Sequence, residues 1–351
     1  MTLGLYVHLP FCRVHCTYCA FAISTDLSRE NAYTSALIAE MGASGLGPRA
    51  SVDSIYFGGG TPSRTALGNL QRIASAIQAS FDVTPDAEFS MEANPEDVTD
   101  ETLAAWRGLG VNRISIGVQS FEDQELMPLG RIHGAQLARE AVARAVRSGV
   151  RTNLDLILGL PDQTAESFLR TIDAALDLGV GHVSLYMLDL EPHSPLSVQV
   201  ERGRAALPDD ALVADLYIEA VTRLERGGLR QYEISNFARE GEECRHNLRY
   251  WSRGEYLGFG LGAHSFLGHR RFANTRDIRR YIAGAPDAVD FSETLGSDEE
   301  RREVLFLRLR QADGIDYDDI ARLCGQEGIE WMDRGLRDGW LRRTGEKVAF
   351  T

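Results

Sequence analysis

The sequence predicts an α/β chain in which a run of strand–helix units builds a parallel sheet and a small, mainly helical module follows. Three observations predict it. Short β-branched or aromatic runs alternate with segments of helical spacing, and glycines stand where helices should hand over to strands. From about Ser297 the pattern turns to charged helices.

Strands are expected at Leu3–Leu9, Val52–Phe57, Ala87–Glu92, Arg113–Val118, Thr152–Leu158 and His182–Met187. Helical spacing occupies Asn31–Met41, Ala66–Ala79, Thr99–Leu109, Gln136–Ser148 and Ala165–Leu178. Thr99-Asp100-Glu101 places acidic residues at the positive end of a helix dipole. Gly110, Gly149 and Gly179 each follow a helix and precede a strand, as C-caps should. Six such units imply parallel strands, because each crossover returns the chain in the same direction. Periodicity leaves two arrangements open, a doubly wound sheet and a TIM-type barrel with fewer strands.

Beyond these units, Pro192–Pro208 reads as a connection and Asp210–Arg226 as an amphipathic helix. The segment Gln231–Leu267 is rich in Tyr, Trp, Phe and Gly. Helices at Glu299–Arg310, Asp316–Leu323 and Glu330–Asp338 precede a hairpin-like end, Trp340–Phe350. This end reads as a winged-helix-like packing cap or lid. The expected divisions are 1–230 for the strand–helix core, 231–290 for the aromatic, glycine-rich extension and 291–351 for the helical module.

The 351 residues, 44% apolar and 25% charged, suffice for a large core and two or three structural units. Lys and Arg number 37 against 51 Asp and Glu, a net charge of −14 that argues against a general nucleic-acid binder. No apolar run approaches the roughly 18–20 residues of a membrane span. The start, Met1-Thr2-Leu3-Gly4-Leu5, has neither a basic region nor a cleavage-type site, so a cytoplasmic location is expected. Five cysteines are too sparse for a disulfide scaffold, and three of them fall within eight residues.

Cys12, Cys16 and Cys19 are spaced CxxxCxxC directly after the first strand. Thiolates are soft ligands that suit zinc or iron–sulfur clusters. A closed zinc site normally takes four protein ligands, and no second CxxC is present; His8 or His15 would have to complete it. Three thiolates on a 4Fe-4S cubane instead leave one iron open. Gly58-Gly59-Gly60-Thr61-Pro62 ends the second strand, read either as a tight turn or as backbone that a ligand approaches closely. Glu92, Gln119, Arg131 and Asp155 recur at or near the same strand ends, the edge where (βα) barrels bind ligands.

The cysteine motif, with Tyr18 before the third cysteine, resembles that of the radical S-adenosylmethionine (SAM) enzymes. That resemblance implies a partial (βα)6 TIM-type barrel, with a 4Fe-4S cluster on Cys12, Cys16 and Cys19 whose open iron is chelated by SAM. Within the superfamily the chain resembles the oxygen-independent coproporphyrinogen III oxidases and their relatives over nearly its whole length. The resemblance includes Tyr6–Cys12, Gly58–Pro62, Met91–Pro95, Ile116–Ser120 and Asp155–Pro161. By position, Tyr6, Gly59 and Glu92 would contact the bound SAM. Gly60, Thr61, Gln119, Arg131 and Asp155 would line the adjoining cavity, and His264 would lie near SAM.

Two departures count against an oxidase. Phe21 stands where the oxidases carry a fourth cysteine, and Cys12 lies too early for their N-terminal extension. His246-Asn247-Leu248-Arg249-Tyr250-Trp251 matches HNxxYW and resembles the haem-binding signature of the haem chaperones typified by HemW. It implies haem held by His246 and Asn247, with Tyr250 and Trp251 against the macrocycle and Arg245 or Arg249 on a propionate. Read as residues alone, the hexapeptide fits core packing equally well, and Cys244 reads as a buried thiol before a haem contact. The expected function is haem transfer to an acceptor protein, such as a respiratory haem enzyme, with an electron donor and a homodimer as further implications. The alternatives are the oxidase, which turns propionates into vinyls by radical decarboxylation, and a structural zinc protein.

Overall fold

The computed structural model describes residues 2–45, 50–192 and 194–351. Six parallel strands run in sequence order: β1 Leu3–Leu9, β2 Ser51–Gly59, β3 Asp82–Ala93, β4 Arg113–Gln119, β5 Arg151–Leu158 and β6 His182–Met187. The connecting helices are α1 Glu30–Ala43, α2 Leu67–Ser80, α3 Asp100–Gly108, the single turn α4 Asp123–Leu126, α5 Ala135–Arg147 and α6 Ala165–Asp177. The arrangement is the partial (βα)6 barrel. Thr99 caps α3 by accepting from the Thr102 amide, and Gly110, Gly149 and Gly179 all adopt positive φ after their helices.

Strand alternation divides the sheet into two unlike faces. Leu5, Val7, Ile55, Phe57, Phe89, Met91, Ile114, Ile116, Leu154, Leu156, Val183 and Leu185 are buried against the helices. Their partners include Leu37, Ile73, Trp106, Val142 and Ile172. The opposite face is polar. Tyr6 pairs with Tyr56, Tyr56 with Ser90 and Ser90 with Arg113, while Glu92, Ser115, Asn153 and His182 form a second row across β3 to β6. Parallel strands covered on both faces ordinarily read as apolar runs, so a polar inner row marks the barrel interior as a place built to hold something.

Two additions widen the sheet beyond the six expected strands. On one edge β8 Asn236–Ala238 pairs antiparallel with β6, and β7 Arg230–Gln231 pairs antiparallel with β8. On the other, β9 Tyr256–Phe259 pairs parallel to β1 and carries β10 His264–Leu267, β11 Arg270–Asn274 and β12 Val289–Thr294. Among the described residues these make one twelve-stranded sheet. The connection expected at Pro192–Pro208 contains a short helix, α7 Pro195–Glu201, started by the Ser194 side chain. Helix α8 spans Asp210–Arg226 as its spacing predicts.

Between β8 and β9 lies α9, Arg245–Trp251, the segment that carries HNxxYW. It closes the N-terminal end of the barrel interior. The Glu88 carboxylate on β3 accepts from the amides of Arg245 (3.2 Å) and His246 (3.1 Å), satisfying donors of its first turn. Arg249 pairs with Asp53 and donates to the Thr2 carbonyl (2.8 Å).

After α10, Ile278–Gly284, the chain forms α11 Ser297–Arg308 and then α12 Tyr317–Asp338. The latter breaks at Gly325 (φ 59°, ψ −148°), which explains two helical patterns in one continuous element. Strands β13 Ile315–Asp316, β14 Leu341–Thr344 and β15 Lys347–Phe350 form a three-stranded antiparallel sheet. Leu309, Ile315, Ile320, Met332, Leu341 and Val348 gather there in a second apolar cluster. Among the described residues no helix is long and apolar enough to cross a membrane.

Candidate functional site

The loop after β1 brings Cys12, Cys16 and Cys19, all half-buried, to the wall of a cleft of about 370 Å3 at the C-terminal strand ends. That volume lies in the range of small-molecule sites. A Cβ on Gly60 would lie 2.5 Å from the Pro10 backbone and 3.0 Å from Cys12 Sγ, so glycine lets the β2 end meet the cysteine loop. Gly59, at φ +117°, donates its amide to Glu92 Oε2 at 3.0 Å.

Each end of the loop is held from across the cleft. Thr61 Oγ1 donates to Cys12 Sγ at 3.3 Å. Arg131 Nη1 lies 3.6 Å from Cys16 Sγ, while Nη2 donates to Asn94 Oδ1 (2.7 Å) and the Gly117 carbonyl (2.8 Å). Burial pushes the Cys12 thiol up to about 11 and raises Cys19 as well. A soft metal binding here would displace those protons.

Among the described residues no three His, Cys, Asp or Glu side chains converge closely enough to hold a single metal ion. His8, one of the two zinc partners considered, is buried with Nε2 on the Ala22 carbonyl (2.8 Å) and Nδ1 on the Tyr6 hydroxyl (3.2 Å). His15 reaches the Cys19 carbonyl at 3.1 Å. Three thiols in one loop supply the ligands of a cluster with one open iron, and His8, engaged by Ala22 and Tyr6, is not offered as a fourth ligand for zinc.

Opposite the thiols stand two carboxyls. Glu92 accepts from the Tyr56 hydroxyl (3.1 Å) besides Gly59, and Asp155 accepts from Ser115 Oγ (2.9 Å) and Asn153 Nδ2 (2.8 Å). Burial, and next the facing Asp155, push Glu92 up to about 8; burial also raises Asp155. Such a pair in a cleft favours a cationic ligand that stabilises both ionised forms. Gln119, at φ +67° where the β4–β5 register shifts, holds a backbone conformation that non-glycine residues rarely take. It lines the same cleft, as do Tyr18, Gly60, Thr61, Arg131 and Asp155.

Several expected positions fall elsewhere. Tyr6 stacks on Tyr56 (centroids 6.2 Å) and faces a second, lower cavity, because alternation along β1 places it one layer beneath the cleft. His264 is exposed at the start of β10 beside Phe291, outside the cleft, since β10 belongs to the antiparallel edge.

The HNxxYW segment does not present a haem-facing surface in this conformation. His246 is fully buried, stacked on Tyr56 (5.4 Å), with Nδ1 at 3.1 Å from Ser54 Oγ and Nε2 at 2.7 Å from the Tyr250 hydroxyl. Both ring nitrogens are engaged, so neither has a free lone pair for iron; burial lowers its pKa to about 3. The reason is the place of α9 against β2, which turns the polar residues inward. Asn247 and Tyr250 face the lower cavity, Arg249 is taken by Asp53, and half-buried Trp251 lines neither cavity. Arg245 pairs with Asp86 at the surface. Cys244 is buried with its thiol on Glu88 (3.4 Å), pushed up to about 12 by burial.

Sequence reasoning missed Tyr56, Asn94 and Tyr186, all on the cleft wall. Tyr56 and Tyr186 continue the polar alternation of β2 and β6, which was the available signal.

Comparison with known proteins agrees with this geometry. The Radical SAM superfamily model matches residues 6–175. The chain is 37% identical to the haem chaperone HemW of Mycobacterium tuberculosis, over 99% of this chain and 90% of that protein. It is 38% identical to HemW of Escherichia coli, over 99% and 94%. Coproporphyrinogen III oxidase (HemN) of E. coli, described as a radical SAM enzyme, superposes with a TM-score of 0.85 at 24% identity, covering 100% of this chain and 86% of that one.

Two outcomes follow from the geometry. Between about pH 4.5 and 8 the native metal-free chain keeps the Glu92 proton that the unfolded chain releases. Wild type should therefore lose stability relative to Glu92→Gln as pH rises through that window, by less than about 1.4 kcal/mol per pH unit because the cleft admits solvent. Urea denaturation at pH 5, 6.5 and 8 checks this; parallel curves would contradict it. His246→Ala strands the Ser54 and Tyr250 hydroxyls and should cost roughly 2–4 kcal/mol. A loss below about 0.5 kcal/mol, the usual scale of surface changes, would mean α9 is loosely seated.

Proposed function

Since the chain belongs to the radical SAM superfamily, in the same family as the bacterial HemW proteins, we propose that it is a haem chaperone carrying a SAM-ligated 4Fe-4S cluster. It would receive haem, hold it, and pass it to an acceptor protein, drawing on an electron donor for the cluster. The observation that carries this reading is the near-full-length relationship to HemW.

Cys12, Cys16 and Cys19 are the residues that would hold the cluster, with Arg131 beside Cys16 to offset the charge of a thiolate-ligated centre. When bound, such a cluster supplies an open iron for SAM and a one-electron reductant. Glu92, ionised by a cationic partner, would accept a ligand ammonium, its two oxygens oriented by the Tyr56 hydroxyl and the Gly59 amide. Asp155, held by Ser115 and Asn153, adds a second negative group across the cleft. Thr61 and Gln119 complete the wall.

The cleft mouth supports a flat apolar cargo. Phe21 is 69% exposed, and Val14, Ile132 and Met187 are exposed around it, all four on the cleft lining. Water-facing apolar side chains grouped around a polar opening commonly mark a binding rim. Phe21 supplies apolar area where the oxidases have a thiol. We place haem on this rim, over the cysteine loop, while α9 with His246 stays seated beneath the barrel.

An anaerobic haem titration of the cluster-loaded protein, followed by Soret absorbance, tests both parts. Wild type should saturate near one haem per chain. The double variant Phe21→Asp/Ile132→Asp should bind at least about tenfold more weakly, the effect expected for removing buried apolar area. His246→Ala, measured well below its melting point, should keep the wild-type spectrum. Loss of the Soret band in His246→Ala alone would instead assign the iron to α9 and require that helix to open. Turnover of coproporphyrinogen III by the wild type would overturn the chaperone reading in favour of the oxidase.

A further inference from the structure

Beneath the cleft lies a second cavity of about 210 Å3, enclosed by the polar inner face of β1 to β6 and by α9. Inward-alternating strand residues, Ser90 and Arg113 among them, form its walls, and His246, Asn247 and Tyr250 of α9 form its floor. It shares Tyr56, Glu92 and Tyr186 with the cleft above. None of the cysteines of the loop reaches it.

One residue there is out of electrostatic balance. Arg113 is 2% exposed and forms no ion pair among the described residues. Its Nη1 donates to the Glu242 carbonyl at 2.8 Å, whereas the buried Nη2 has no partner. The neighbouring carboxylate, Glu88, already lies 3.6 Å from Arg151 and accepts from Cys244 and two α9 amides. Its charge is thus shared between two guanidiniums. A buried charge without a partner is costly, and a guanidinium fork answers that cost best with a carboxylate-type anion.

Ser90 stands next to Arg113 across the β3–β4 register, is 1% exposed, and its hydroxyl is also without a partner. The two unpartnered donors therefore lie side by side on one wall. Neighbouring polar groups are satisfied internally: Asn153 bonds Ser115, Asp155 and Ser184, and His182 bonds Asn153 and Tyr232. Among the fully buried side-chain atoms of this wall, the arginine and the adjacent serine are the ones left without a partner.

We propose that this lower chamber binds a small monovalent carboxylate-type anion, held by Arg113 Nη2 and the Ser90 hydroxyl, separately from the SAM cleft. The volume is far too small for a porphyrin but takes a formate or bicarbonate with accompanying waters. The same chemistry is offered by one carboxylate arm of a larger molecule seated in the cleft, reaching past Tyr56, Glu92 and Tyr186. This site stands whether or not the haem reading holds.

The test is a titration of the full-length protein with 13C-formate, read by NMR line broadening, in wild type, Arg113→Met and Ser90→Leu. Wild type should broaden the signal saturably, and each variant should weaken binding by about tenfold or more, the scale of a hydrogen bond to a charged group. Ser90→Leu removes the hydroxyl and fills the chamber while keeping the arginine in the chain, so it carries the test if Arg113→Met does not fold by circular dichroism. Adding a propionate-bearing porphyrin separates the sources. Displacement of formate assigns the chamber to the arm of a bound ligand, and its absence assigns it to a free anion; either supports the site. Unsaturable broadening in wild type, or equal broadening in both folded variants, would overturn it and leave the chamber to water.

Discussion

The structure depends on one constraint: the six parallel strands turn their apolar side chains to the helices and their polar side chains to the barrel interior. A parallel sheet gains its stability from burial on both faces, so an inner face made of Tyr, Ser, Glu, Arg, Asn and His needs another source of satisfaction. It comes from hydrogen bonds made across strands. Asn153 alone links Ser115, Asp155 and Ser184, and Ser184 continues to Asn236 on β8. Where that network closes, the polar groups of the interior are satisfied. Where it leaves donors over, as at Arg113 and Ser90, it is ready for a ligand.

The cysteine loop and α9 are the two covers of this interior, and each is fitted to it. Above, Gly60 at the end of β2 lets Pro10 and Cys12 of the loop approach the strand end, and Arg131 ties Cys16 to Asn94 and the β4 backbone. Below, Glu88 holds the first turn of α9, and Arg249 fixes its end to Asp53 and Thr2. Glu92 and Tyr56 stand between the two spaces and touch both.

Much of this was legible in the sequence because local periodicity carries it. The ranges Leu3–Leu9, His182–Met187 and Asp210–Arg226 are the observed elements to the residue, and the cysteine spacing located the cleft. What escaped depends on distant partners. The pairing of β9 with β1 joins residues about 250 positions apart, and no local pattern announces such a pairing. HNxxYW, which read as residues alone fits haem binding and core packing equally, is seated inward for a related reason: a polar barrel interior accepts its polar residues as readily as solvent does, and α9 lies against that interior. The informative signal was the polar alternation of Ser54 and Tyr56, Glu88, Ser90 and Glu92, Asn153 and Asp155, and His182 and Ser184 within strands otherwise apolar.

Cys12, Cys16 and Cys19 are the proposed ligands of a cluster at the mouth of this polar interior. Iron and acid-labile sulfide, assayed after anaerobic reconstitution of wild type and Cys16→Ala, test this assignment most directly. The account predicts about four of each per chain in wild type, most of both lost in the variant, and a far-ultraviolet circular dichroism spectrum unchanged by the substitution. One zinc and no sulfide in the wild type, or full cluster content in Cys16→Ala, would contradict it.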